Sequence, residues 1–173
     1  MASDSVARVL RGDLGPFEQI VSQYHSRVFS FLLRMVRHHH EAEDLTQQTF
    51  IKAYQSFASY APERPLLNWL LTIARNNALN FFRAQKSWEP LSEELPANGH
   101  SPDVAAEERD GTDHLWERVR ALLPQRQFEI LWLRYGEDLS VKETAEVVGL
   151  SQTHVKILVF RARHALLKGE IRL

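Results

Sequence analysis

Apolar residues near the start of the chain recur at helical spacing. From Phe17 to Val36, the residues Phe17, Ile20, Val21, Tyr24, Val28, Phe31, Leu32, Met35 and Val36 follow the i, i+3, i+4, i+7 rhythm of an amphipathic helix. Pro16 stands at a first-turn position, where its missing N–H has no intrahelical partner to lose. A second helix is predicted from about Glu41 to Phe57, with Leu45, Thr49, Ala53 and Phe57 along one side. A third begins after Pro65, turns Leu66, Leu70 and Ile73 inward with Trp69 beside them, and ends near Ala84. Between these two, the segment Ala58–Pro65 holds Pro62 and Pro65, which forbid a continuous helix. Farther on, Leu115, Val119, Leu122 and Leu123 open a helix that Pro124 interrupts, and Phe128, Ile130, Leu131 and Leu133 form the next. Period-2 alternation is nearly absent, so the predicted class is all-α.

The segment Ser140–Arg163, SVKETAEVVGLSQTHVKILVFRAR, carries the needs of two helices meeting at a sharp turn. Ala145 lets the helices approach, Gly149 permits the turn backbone, and Val155 fills the gap. Ser140 with Glu143 makes a capping box, and Ser151 can N-cap the second helix. From Lys156 to the end there are five basic residues and one acid. The pattern predicts a helix-turn-helix and points to DNA; a plain helical hairpin with a solvated basic face is the alternative.

Composition narrows the class. The 173 residues are 44% hydrophobic and 25% charged, as in a globular protein. The absence of cysteine excludes disulfides and thiolate metal sites and suits a reducing cytoplasm. The first residues lack the basic start and apolar core of a secretory signal. The longest apolar run, Val28–Val36, is broken by Ser30 and Arg34 and falls far short of the ~20 residues that span a bilayer, so no membrane insertion is expected. The net charge of −1 conceals a division. Residues 1–90 carry ten basic and eight acidic side chains, 91–113 carry one and seven, and 114–173 carry ten and seven. Three prolines, two glycines and few large apolar residues between Trp88 and Asp113 predict a flexible acidic linker, with a short helix at Val104–Arg109 conceivable. The expected organisation is a helical domain at 1–88, a linker at 89–113 and a helix-turn-helix domain at 114–173. Neither end is basic enough for tight DNA binding unaided, since phosphate neutralisation supplies much of that affinity; a partner is implied.

The strings AEDLTQQTFIKAYQSF (Ala42–Phe57) and WLLTIARNNALNFFR (Trp69–Arg83) resemble region 2 of bacterial sigma factors. LPQRQFEILWLRYGEDLSVKETAEVVGLSQTHVKILVFRAR (Leu123–Arg163) resembles their region 4. With both regions present and only a short linker between, the chain resembles the extracytoplasmic-function (ECF) group. That resemblance implies a transcription initiation factor with core RNA polymerase and promoter DNA as partners. It also implies control by an anti-sigma factor, with the chain monomeric when free or bound one-to-one to that inhibitor.

The resemblance assigns Asp44, Gln47, Gln48 and Phe50 to a clamp on the largest polymerase subunit. Leu45 and Phe50 lie five positions apart, so they are not both expected at the centre of one inward stripe; Phe50 is expected partly outside, beside two amides. For the −10 element the resemblance implies Asn76, Asn80 and Arg83, with the loop Ser59–Arg64 capturing an unstacked base and Tyr60 and Arg64 as its candidates. The family more often has Asp where Asn80 stands and Arg where Ala84 stands. In the last helix, Val155, Val159, Ala162 and Leu166 are predicted inward. For the −35 element that leaves Gln152 and Thr153 for base edges, Lys156, Arg161 and Arg163 for phosphates, and the outward Ile157 and Phe160 for thymine methyls or another protein surface. The family commonly has Ser-Arg where Ile157-Leu158 stands. No nucleophile–base pair, phosphate-cradling glycine loop or H-E-x-x-H spacing occurs, so neither an enzyme nor a cofactor is expected. The run His38–His40 reads as a solvated turn without a metal. The competing function is a helix-turn-helix regulator that binds its operator without polymerase.

Overall fold

The structure, a computed structural model, describes residues 15–88 and 111–170. The expected linker and its conceivable helix at Val104–Arg109 lie largely or wholly outside the described residues. The chain divides into two compact units, Met1–Val104 and Ala105–Leu173. All regular structure among the described residues is helical.

In the first unit, α1 (Gly15–Val36), α2 (His39–Gln55) and α3 (Leu66–Trp88) pack on one another, each touching the other two. Val28, Phe31 and Leu32 of α1 meet Ala42, Leu45 and Ala53 of α2 and Leu70, Leu71 and Ala74 of α3 in a core with almost no solvent exposure. Each large side chain so buried contributes about 1.5–3 kcal/mol. Arg37 takes φ 59°, and its N–H reaches Leu33 O at 2.8 Å, which closes α1 before His38 starts α2. Thr46 and Thr49 are buried, yet their hydroxyls are satisfied by the carbonyls of Ala42 (2.6 Å) and Leu45 (2.7 Å). Helix α3 runs past its expected end at Ala84, because no breaker stands before Pro90, which disfavours helix at the residue ahead of it.

In the second unit, α4 (Gly111–Leu122) begins inside the expected linker, and α5 (Gln125–Leu131) follows after Pro124. A π-helical turn, Trp132–Gly136, leads to α6 (Val141–Val148) and α7 (Gln152–Glu170). Helix α7 is the hub and packs on α4, α5 and α6. Val155 and Ala162 are fully buried there with Ile130 and Leu133. Two glycines are required for different reasons. Gly149 adopts φ 67° and ψ 38° at the end of α6, a left-handed conformation, although a Cβ there would meet nothing within 4 Å. A Cβ at Gly136 would fall 2.7 Å from the Trp132 ring, so the π turn closes only over a bare Cα.

Candidate nucleic-acid interface

The turn between α6 and α7 is built as its caps predict. Ser140 Oγ accepts the Glu143 N–H at 3.2 Å, and Glu143 Oε2 accepts the Ser140 N–H at 2.8 Å. Ser151 Oγ accepts the His154 N–H at 3.2 Å. Leu150 N–H reaches back to Ala145 O at 3.0 Å across the glycine turn. Val155, Leu158 and Ala162 are buried, whereas Val159 and Leu166, expected inward, are only half-buried; Gln152, Thr153 and Lys156 are exposed on the first turns of α7, with Ile157, Phe160, Arg161 and Arg163 beyond them. Phe160 is 70% exposed and stacks on His164 with ring centres 6.3 Å apart.

Lys156, Phe160, Arg163 and His164 line a groove of about 470 Å³ together with Arg134 and Tyr135 of the π turn. The Arg134 guanidinium donates to Leu139 O and so ties that turn to the start of α6. Arg134 and Tyr135 were not singled out by sequence; the only hint was a Trp four residues before a Gly, the pair whose contact shapes the turn.

In the first unit, α3 sorts its polar residues. Asn76, Asn80 and Arg83 are exposed at i, i+4 and i+7, one stripe, and Arg83 Nη1 donates to Asn80 Oδ1 at 3.1 Å. Asn77, one residue away, is buried: its amide donates to Thr49 Oγ1 at 3.0 Å and its oxygen accepts from Lys52 Nζ. Asn77 therefore holds α3 to α2 and belongs to no outer face. Phe81 and Phe82 are half-buried.

The loop before α3 differs from expectation at Tyr60. Its side chain is only 7% exposed, stacked on Phe57 with centres 5.9 Å apart and against Trp69 at 5.2 Å. Its hydroxyl donates to Arg64 O at 2.7 Å. Burial, reinforced by Tyr24 and Glu63, pushes the phenol above its ordinary value. Tyr60 is the loop's anchor rather than an open wall, while Ala61–Arg64 stand exposed around it. The cause is local: a short 3-10 turn at Phe57–Ser59 folds the ring back onto the core.

On α2, Asp44, Gln47 and Gln48 are exposed, but Phe50 is only 7% exposed. The expectation of an outward Phe50 is corrected: its ring stacks on His25 of α1 with centres 6.2 Å apart. Helix α2 packs on both α1 and α3, so its inward face is wide enough to take Leu45 and Phe50 together. The exposed apolar residues of this helix are instead Ile51 (56%) and Tyr54 (40%), which continue the line from Gln47 at i+4 and i+7. Sequence reasoning missed both, though that spacing could have found them. At the N-terminus of α2, His38 Nδ1 accepts the Glu41 N–H at 3.4 Å. His39, His40 and Glu43 are exposed, as a solvated turn requires, and bring one ligand atom each to within 4.8 Å of one another.

Residues 20–87 match the family description Sigma-70 region 2, and residues 116–166 match Sigma-70, region 4. The chain is 32% identical to the ECF RNA polymerase sigma factor SigM of Bacillus subtilis over 86% of this chain and 91% of that protein. It is 31% identical to the ECF RNA polymerase sigma-E factor of Haemophilus influenzae over 93% and 90%, respectively. Its fold is similar to that of CnrH, solved with the cytosolic domain of CnrY (TM-score 0.68, 22% identity, 95% of this chain and 93% of that one). It is also similar to that of the Bartonella quintana sigma factor RpoE, solved with the anti-sigma factor NepR (TM-score 0.69, 24% identity, 88% and 94%).

Proposed function

This chain belongs to the extracytoplasmic-function group of bacterial RNA polymerase sigma factors, and from that premise we propose how its surfaces divide the work. It is an alternative sigma factor: it binds core RNA polymerase and directs promoter-specific initiation through the −10 and −35 elements, without enzymatic chemistry of its own. The region-2 unit, residues 1–88, takes core polymerase and the −10 element; the helix-turn-helix unit, residues 114–173, takes the −35 element; residues 89–113 tether them. The observation that carries this reading is that both sigma regions occur in order in one chain.

On α2, Asp44, Gln47 and Gln48 form the polymerase-facing surface, with Ile51 and Tyr54 as its apolar contacts and Phe50 as support beneath. Amides and a guanidinium one helical turn apart suit base edges and phosphate, so Asn76, Asn80 and Arg83 read the −10 strand. The Tyr60–Arg64 loop holds an unstacked base: Tyr60 fixes the loop shape, and exposed Arg64 meets the backbone. On α7, Gln152 and Thr153 touch base edges in the major groove, Lys156, Arg161 and Arg163 touch phosphates, and Phe160 lies on the same exposed side.

The chain acts in the cytoplasm, a reading supported by the finding that no described helix is long and apolar enough to cross a membrane. It is monomeric when free and pairs one-to-one with an anti-sigma factor. Exposed Ile157 and Phe160 support that pairing, because an inhibitor covering them would block α7. Polymerase dependence tests the reading against an operator-binding regulator: sequence-selective promoter binding should need core enzyme, and equal selectivity without core would favour the regulator.

A further inference from the structure

Three side chains at the head of α2 have no part in the promoter and polymerase roles. Consecutive histidines point about 100° apart on a helix, which argues against a shared ligand. Glu43 resolves this, because it lies four residues from His39 and three from His40, between their two rows. Nδ1 of His39 is 3.5 Å from one Glu43 oxygen, and Nδ1 of His40 is 3.6 Å from the other. Both separations exceed the roughly 2.7–3.2 Å of a good hydrogen bond. Each is near the spacing of about 3.4 Å between donors that surround a tetrahedral zinc-sized ion at bond lengths near 2.1 Å; the three ligand atoms together lie within 4.8 Å of one another, so the exposed side chains close in by a small rotation to hold an ion. His38 stands apart, since its Nδ1 already caps α2. The His39 ring is steadied by an edge-to-face contact with Phe29, ring centres 5.2 Å apart, and Phe29 stacks in turn on His25.

We propose that His39, His40 and Glu43 form a binding site for a divalent transition-metal ion of the zinc class, with three protein ligands and an open position for water. Two imidazoles favour such an ion over magnesium or calcium, which require an oxygen-rich shell. The site is a surface one, exposed on all three residues. An ion there adds two positive charges one turn before Gln47, because His39, Glu43 and Gln47 follow i, i+4, i+8. The site itself does not depend on the polymerase assignment.

Calorimetric titration of the full chain with zinc chloride tests it, with the visible spectrum of the cobalt(II) adduct reporting coordination. Saturable one-to-one binding is expected, indifferent to millimolar magnesium. Glu43→Gln and His40→Ala should each weaken it roughly tenfold or more. His38→Asn, which preserves a capping side chain, should leave it unchanged, with circular dichroism confirming helicity in every variant. Absence of one-to-one binding would overturn the site. So would equal weakening by His38→Asn and His40→Ala with no effect of Glu43→Gln, which would mean an adventitious ion held by a histidine run.

Discussion

Gly149→Ala isolates the backbone contribution to the turn that aims α7. The position holds φ 67°, and a Cβ there meets no atom within 4 Å, so sterics with neighbouring residues contribute nothing. Holding an L-residue left-handed costs about 1–2 kcal/mol. The stiffer unfolded chain returns some 0.4–1 kcal/mol of that, leaving a net loss near 1 kcal/mol. For a unit of this size, each kcal/mol lowers the midpoint by roughly 4–8 °C. Gly149→Asn should lose less, because asparagine tolerates this conformation. Gly136→Ala provides the contrast: its Cβ would press into the Trp132 ring at 2.7 Å, an overpacking cost of about 1–3 kcal/mol that asparagine would deepen. Amide hydrogen exchange of α6 and α7 separates this unit from the first, and calorimetry supplies the midpoints. If Gly149→Ala left both unchanged, or if alanine and asparagine behaved alike at 149, the left-handed turn would not be the reason for this glycine.

Other surfaces give equally definite outcomes. Gln47→Ala with Ile51→Ala should weaken binding to core polymerase while helicity stays intact, whereas Phe50→Ala should cost stability of about 3–5 kcal/mol; a core-binding titration with circular dichroism separates the two, and unaltered core affinity in the first variant would remove α2 from the polymerase surface. Lys156→Ala should lower promoter affinity on all sequences and reduce the salt slope by about 0.9, while Gln152→Ala should cost about 1–3 kcal/mol of base discrimination at one position; identical sequence profiles for wild type and Gln152→Ala would refute its base contact. Because the Tyr60 phenol is raised above 10.0, its neutral form is favoured by the fold, so its contribution is complete below that pH and is lost as pH climbs through the raised value. Alkaline unfolding of Tyr60→Phe should lack this component; an unchanged alkaline profile would contradict the buried anchor.

Much of the fold was legible because helical periodicity and caps are local. The Ser140–Glu143 box, Gly149 and Val155 each announced their roles through residue type and spacing. What was not legible depended on packing from more than one side. Periodicity assigns a helix one inward stripe, but α2 packs on two helices, so Phe50 turned inward and Ile51 and Tyr54 became the exposed apolar pair. By residue type Asn77 is indistinguishable from Asn76 and Asn80, and only its bonds to Thr49 and Lys52 take it out of the outer face. Tyr60 read as an open loop aromatic, yet Phe57 and Trp69 close over it. The π turn has no periodic signal, since it rests on one contact between Trp132 and Gly136.

The central claim is that this chain lends promoter choice to a polymerase that lacks it. Run-off transcription of a genomic fragment pool with core polymerase, with and without the chain, followed by mapping of start sites, tests this most directly. The expected result is a small set of starts that appear only when chain and core are both present, share upstream −10 and −35 sequences, and change their −35 preference with Gln152→Ala. Starts that are the same with and without the chain, or selective promoter binding by the chain alone with no initiation, would contradict it.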